Sequence, residues 1–138
     1  MPVSVKVGKT AGASGLDGFY LGGIVGSIDA LNESLIVNVV RNCRNTGDLH
    51  ATLSSDAGAN NAVKVGGICG NTRGPVTVEG NENASSSVTL ENSRAGKMLC
   101  SVGGIIGEAG DPWNSEETAI SLVNNINRAS VLSRTNVG

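Results

Sequence analysis

Three carboxylates and an indole fall close together at Asp111, Trp113, Glu116 and Glu117. They are the side chains of this chain whose types and spacing come nearest to acid–base chemistry. Two carboxyl groups held about 5 to 10 Å apart can divide proton donation and base catalysis between them at a glycosidic bond. An indole beside them offers a flat face to a sugar ring. The competing reading of the same residues is an exposed loop with solvated acids. A second candidate is His50, which has Asp48 close by in sequence. Nucleophilic catalysis needs a nucleophile beside a base, and no Gly-x-Ser-x-Gly elbow occurs, so His50 reads as a solvated histidine. The three cysteines, Cys43, Cys69 and Cys100, form no CxxC pair, and a single histidine cannot complete an ordinary zinc site with them. The aspartate-rich spacing of calcium-binding repeats is missing as well. The glycine-rich segments lack the Lys-Ser/Thr ending of a phosphate loop. Neither a metal nor a cofactor is expected.

The elements that would position any such residues are organised by a stretch that occurs three times. Leu21-Gly22-Gly23-Ile24-Val25-Gly26 returns as Val65-Gly66-Gly67-Ile68-Cys69-Gly70 and as Val102-Gly103-Gly104-Ile105-Ile106-Gly107. A glycine within a strand costs roughly 0.5 to 1 kcal/mol relative to alanine, so three per copy specify backbone geometry. Either a positive φ or the close approach of another backbone is expected at one glycine of each pair. Within this alignment Cys69 takes the slot of Val25 and Ile106, and Cys100 the slot of Val63. Both therefore read as small buried hydrophobes rather than as parts of a disulfide framework.

A second recurring feature is a turn after an apolar run. Asn42-Cys43-Arg44-Asn45-Thr46-Gly47 is its fullest form, with Asn92-Ser93-Arg94-Ala95-Gly96 and Asn125-Ile126-Asn127 as its counterparts. Under this alignment Asn42, Asn92 and Asn125 share one corner and stack as an amide ladder. The stretch from Glu79 to Ser87 then becomes an extra pair of strands. Val3-Ser4-Val5-Lys6-Val7 alternates with period two and reads as a half-buried strand. Loops of variable length follow each glycine motif, at Ser27–Ser34, Asn71–Pro75 and Glu108–Glu117, and are expected along one edge. Segments 28–36 and 116–129 also fit helical spacing. The β-rich runs Ile36–Val40 and Val88–Leu90, aligned with Ile120–Val123, favour strand there.

At 138 residues, with 39% of them hydrophobic, the chain suits one domain with a real core. That core is aliphatic, because Phe19, Tyr20 and Trp113 are the aromatic residues present. A net charge of −2 excludes nucleic acid and anionic membrane as main partners. No run is long and apolar enough to insert in a membrane as a helix. Repeats of this size point to a solenoid, so the expected fold is an all-β parallel β-helix, or β-solenoid, of about three glycine-motif repeats with variable edge loops. One repeat domain over 1–138 is expected, with 1–19 as an N-terminal strand and loop. Thr135-Asn136-Val137-Gly138 resembles the start of a fourth glycine motif, which suggests a fragment of a longer chain.

The glycine core and the Asn turn together resemble the GLUG-type repeats of large bacterial surface proteins. The resemblance covers roughly residues 20 to 138; the core stands intact at all three copies and the turn is best kept at Asn42–Gly47. It implies an extended β-solenoid in a secreted or cell-surface, adhesin-like protein, and no catalytic residues travel with the motif. Its partners would be a host or cell-surface protein or glycan, and unpaired strand edges at its ends would favour end-to-end association. Two other functions remain open. One is a carbohydrate-active β-helix built on Asp111, Trp113, Glu116 and Glu117. The other is a module that binds peptides by strand addition.

Overall fold

The β-branched runs become strands, and each pairs with its counterpart one repeat away rather than with its neighbour in sequence. The computed structural model describes residues 3–7, 18–29, 37–54, 62–93, 100–110 and 119–135. A first strand, β1 (Val3–Val7), precedes three successive rungs of five strands. Rung 1 is β2 (Gly18–Gly22), β3 (Val25–Asp29), β4 (Asn38–Arg41), β5 (Arg44–Asn45) and β6 (Leu49–Leu53). Rung 2 is β7 (Ala62–Gly66), β8 (Cys69–Arg73), β9 (Val76–Glu79), β10 (Glu82–Asn83) and β11 (Ser87–Asn92). Rung 3 is β12 (Cys100–Gly103), β13 (Ile106–Ala109), β14 (Ile120–Val123), β15 (Ile126–Asn127) and β16 (Ser130–Thr135).

These strands form five sheets, in the orders β1-β6-β11-β16, β2-β7-β12, β3-β8-β13, β4-β9-β14 and β5-β10-β15. Every pairing is parallel. Parallel neighbours need a long crossover, and here the crossover is the remainder of the rung. The chain is therefore all-β, with parallel sheets stacked in rungs, an arrangement consistent with a β-solenoid. No helix occurs among the described residues.

The register settles the alignment. Val25, Cys69 and Ile106 share one column, and Phe19, Val63 and Cys100 another, as expected from the glycine motif. Ile120–Val123 is strand, stacked on Val76–Glu79 and through it on Asn38–Arg41. Val88–Leu90 belongs instead to the sheet of β6, β11 and β16. The presumed extra strands at Glu79–Ser87 are the second-rung turn itself, because β10 stacks between β5 and β15. Chain length varies between β3 and β4 and again between β13 and β14, whereas Gly74-Pro75 alone joins β8 to β9. The most variable segments thus leave from this corner, and further segments leave from a second corner, between β6 and β7 and between β11 and β12.

Inward side chains divide into two apolar clusters. One joins Leu49, Leu53, Val63, Val65, Val88 and Leu90, from the sheets of β6 and β7. The other joins Val40, Ile68, Cys69, Val76 and Val78, from the sheets of β8 and β9. Burying each such side chain fully stabilises the fold by about 1.5–3 kcal/mol. Coverage on both sides makes the second rung the best buried. Val78 is 0% exposed, whereas Leu122, one rung later in the same column, is 55% exposed.

Candidate functional site: the asparagine corner and its charged rim

The corner between β4 and β5, repeated in rungs 2 and 3, concentrates the polar side chains that the fold organises. Its first position holds Asn42, Gly80 and Asn124, all left-handed, with φ of 55°, 63° and 53°. Glycine and asparagine tolerate this region best, so the corner selects them. The next position holds Cys43, Asn81 and Asn125. Asn81 Oδ1 accepts the Cys43 backbone N–H at 2.9 Å, and Asn125 Oδ1 accepts that of Asn81 at 3.0 Å. Asn81 Nδ2 also donates to Asn125 Oδ1 at 2.9 Å and to the Val40 carbonyl at 2.9 Å. Asn125 Nδ2 donates to the Val78 carbonyl at 2.7 Å. Each amide ties its own corner to the rung before it.

Two residues further on stand Asn45, Asn83 and Asn127, one above another. Asn45 Nδ2 donates to Asn83 Oδ1 at 3.1 Å, and Asn83 Nδ2 to Asn127 Oδ1 at 2.9 Å. Asn83 is fully buried. It also donates to the Gly104 carbonyl at 2.9 Å and accepts from Ser85 Oγ at 2.8 Å. This column faces the glycine motif directly. A Cβ built on Gly23 would strike the Asn45 amide and the Gly67 carbonyl, and one on Gly67 would strike the Asn83 amide and the Gly104 carbonyl. One on Gly104 would strike the Asn127 amide. Close approach, not positive φ, therefore explains these glycines: the positive-φ glycines among the described residues are Gly74, Gly80 and Gly110. The flanking positions follow the same logic. A Cβ on Gly22, Gly66 or Gly103 would overlap the carbonyl at the third following residue, and one on Gly26, Gly70 or Gly107 would press on backbone of the adjoining sheet.

The amide ladder expected at Asn42, Asn92 and Asn125 is thus corrected. Asn42 is the left-handed corner residue, and Asn92 lies at the end of β11, in register with Leu53 and Thr135. Asn125 alone of the three takes part in amide stacking. The ladder's true members recur 38 and 44 residues apart. Asn92-Ser93-Arg94 imitates Asn42-Cys43-Arg44 in spelling, and this similarity drew the alignment away from Asn81-Glu82-Asn83. A usable signal was present: each ladder Asn is followed two residues on by Gly47, Ser85 or Ala129. At each of these places the Asn side chain folds back on the backbone of that small residue.

A charged rim surrounds the corner. Glu82 receives Arg128 Nε at 2.6 Å and Arg44 Nε at 2.8 Å, and these two bonds, Arg128 first, hold its carboxyl below the usual range. Arg41 Nε meets Glu79 at 2.9 Å. Deeper in, the buried Lys64 ammonium pairs with Glu108. Asp48 accepts the backbone N–H groups of Ser86 and Ser87 at 2.7 and 2.9 Å, so it does not orient His50. His50 Nε2 bonds Thr52 Oγ1 at 3.0 Å and lies 3.8 Å from Glu91. Hydroxyl and acid address the same ring nitrogen, whereas a triad needs them on opposite nitrogens.

Cys69 and Cys100 keep the aliphatic slots that the sequence indicates, whereas Cys43 stands in the corner column of Asn81 and Asn125. All three are free thiols. Burial, with a smaller contribution from Cys43, pushes the Cys69 thiol up from its ordinary 9.0 to about 11. Cys100, on the outer rung, is half-buried, and its thiol is also pushed up, chiefly by burial. Asp111, Trp113, Glu116 and Glu117 lie outside the described residues. A cavity of about 200 Å³ opens at the first rung, lined by Gly18, Phe19, Tyr20, Leu21, Ala51 and Val63. Its walls bring together no acid and base. Compared with known proteins, the chain matches no family model, no curated protein and no solved structure, so no family is assigned and the functional reading rests on the rung geometry.

Proposed function

We propose that the chain is a non-enzymatic structural and adhesive segment of a secreted or cell-surface bacterial protein, built as a β-solenoid of three glycine-motif rungs. The observation that carries this reading is the commitment of its polar groups to rung-to-rung bonds. The amides of Asn45, Asn81, Asn83, Asn125 and Asn127 join neighbouring rungs, and Glu79, Glu82 and Glu108 each hold a cation from another rung. Groups used in this way set length and stiffness, which is what a stalk or adhesive repeat requires. The GLUG-type resemblance of the glycine core supports the same reading. Its partner is a host or cell-surface protein or glycan, met along the edge where β3 and β13 end.

The test is a carboxylate titration by NMR on the intact chain, combined with incubation with acidic polysaccharides. Ordinary titration of Asp111, Glu116 and Glu117 without turnover is expected. One carboxylate titrating well above the ordinary range, together with cleavage of the polysaccharide, would replace this reading with the carbohydrate-active one, because acid–base pairs hold shifted groups.

A further inference from the structure

Between the sheets of β7 and β8 lies a polar seam that belongs to neither apolar cluster. Val63 and Val65 point into the first cluster, so Lys64, between them, points to the opposite face of β7, where it is only 6% exposed. A Cβ on Gly66 would overlap the Cys69 carbonyl and one on Gly70 would overlap Leu21 backbone, so the two sheets face each other across the glycine turn. Lys64 Nζ meets Glu108 in the space between them. The strand ladder skips the column of Gly26, Gly70 and Gly107, and Ile28, from the column of Thr72, packs on the second cluster. Alternation therefore shifts by one after Gly70, and the column of Ser27, Asn71 and Glu108 faces that of Tyr20, Lys64 and Ser101. Asn71 stands one strand spacing, about 4.8 Å, from Glu108. Its Nδ2 donates to Ser27 Oγ at 3.4 Å, but its Oδ1 is buried with no hydrogen-bond partner among the described residues. A buried carbonyl without a partner is costly and calls for an explanation.

We propose that this seam is a modification site, at which Lys64 and Asn71 join in an intramolecular isopeptide bond with Glu108 as the acid and base. The Lys64 ammonium first passes a proton to the Glu108 carboxylate that it touches. The Glu108 hydroxyl so formed donates to the unpaired Asn71 Oδ1, one place along the column, and polarises the amide. The Nζ lone pair then forms a bond to Asn71 Cγ. A second proton leaves Nζ by way of Glu108 for Nδ2, the Cγ–Nδ2 bond breaks, and ammonia departs. It takes the remaining proton from Glu108 as ammonium, so Glu108 ends as the carboxylate it was. No oxidant or co-reactant enters.

Asn71, and not Glu108, is the group attacked, because an ionised carboxylate resists a nucleophile whereas a neutral amide polarised at its oxygen accepts one. The fold supplies what the uncatalysed reaction lacks. It holds amine, amide and carboxyl group together for the lifetime of the folded chain, which replaces a bimolecular encounter by a step within one molecule. It also buries them: Asn71 is 1% exposed, so water is a poor competitor for the amide carbon. The product ties β7 to β8 covalently around the Gly66-Gly67 turn, in the best-buried rung. This inference rests on the seam and not on the surface-segment reading; either can fail alone.

The full chain is kept folded at neutral pH, then unfolded and weighed by mass spectrometry. A mass below that of the sequence by one ammonia is expected. Trypsin does not cut after an acylated lysine, so residues 45–73 should emerge as one fragment, lighter by the same amount, with the link placed between Lys64 and Asn71 by fragmentation. Lys64→Arg keeps a cation for Glu108 but no amine at Nζ, and Glu108→Gln keeps the shape but no base. Both should give the circular dichroism spectrum of the original chain and the full sequence mass. In Glu108→Gln, cleavage after Lys64 should return. A folded original chain at full mass would overturn the proposal and leave Asn71 Oδ1 to a bound water. An ammonia loss that maps elsewhere, one that persists in Lys64→Arg, or a link that forms as fast in Glu108→Gln would overturn it as well.

Discussion

Removing the amide of Asn83 should destabilise the chain more than any other single change at the corner. The side chain is fully buried, donates to Asn127 Oδ1 and to the Gly104 carbonyl, and accepts from Asn45 Nδ2 and Ser85 Oγ. In Asn83→Ala, the Asn45 amide keeps its bond to the Gly47 carbonyl, and Asn127 Oδ1 keeps the Ala129 N–H. The Gly104 carbonyl and the Ser85 hydroxyl lose these partners. Each buried group left unpaired costs about 1–3 kcal/mol, so the two together should cost about 2–6 kcal/mol. Set against a stability of about 5–15 kcal/mol for a domain of ordinary size, this leaves the variant marginal. Asn127→Ala removes an equivalent amide from the exposed third rung, where water replaces it, and should cost only about 1 kcal/mol. Asn83→Asp keeps the shape but turns the donor end into an acceptor facing the Gly104 carbonyl and Asn127 Oδ1. It should be worse than alanine. Urea unfolding with an unchanged slope reads all three. A midpoint for Asn83→Ala at or above that of Asn127→Ala, or an Asn83→Asp chain as stable as the original, would refute the ladder as a source of stability.

The glycine columns should rank in the same manner: Gly67→Ala, whose Cβ meets the Gly104 carbonyl and the buried Asn83 amide, should cost about 3 kcal/mol, and Gly104→Ala, whose Cβ has the exposed Asn127 amide as its nearest neighbour, about 1 kcal/mol. Equal unfolding midpoints for the two would contradict close approach as the cause. Cys69 should give the chain a dependence on alkaline pH. Its thiol titrates higher folded than unfolded, so its stabilisation is complete below pH 9.0 and is lost as pH rises towards about 11, a loss that Cys69→Val should lack in unfolding curves. The same burial should leave Cys69 slow to react with a thiol reagent in the native chain, and rapid labelling would count against its place in the core. Glu82 is held low by Arg128 and Arg44, so its contribution is present at neutral pH and fades as pH falls through its depressed folded value. The difference between Glu82→Gln and the original should shrink with added salt, since the pairs are exposed; salt independence would argue that they are not electrostatic.

Much of the rung architecture was legible in the sequence because glycine reports a geometric fact that no other residue can satisfy. Where a Cβ at Gly67 would overlap a carbonyl, the sequence has one solution, and counting from it placed Val25, Cys69 and Ile106 in one column correctly. Asparagine is less informative, since the same residue serves three purposes here. It takes a left-handed φ at Asn42 and Asn124, bridges rungs at Asn45, Asn81, Asn83, Asn125 and Asn127, and stands in a strand at Asn92. Local spelling does not separate these roles, so Asn92-Ser93-Arg94 passed for a turn. The distinction lies across the rung, where the second glycine of each motif leaves the volume that a ladder amide fills. Gly23 goes with Asn45, Gly67 with Asn83 and Gly104 with Asn127. The two motifs are therefore halves of a single contact, with the intervening chain free to change length. A sequence in which each glycine pair can be matched to a later Asn-x-small triplet has the means to build one rung, and a glycine pair without such a partner leaves its cleft empty.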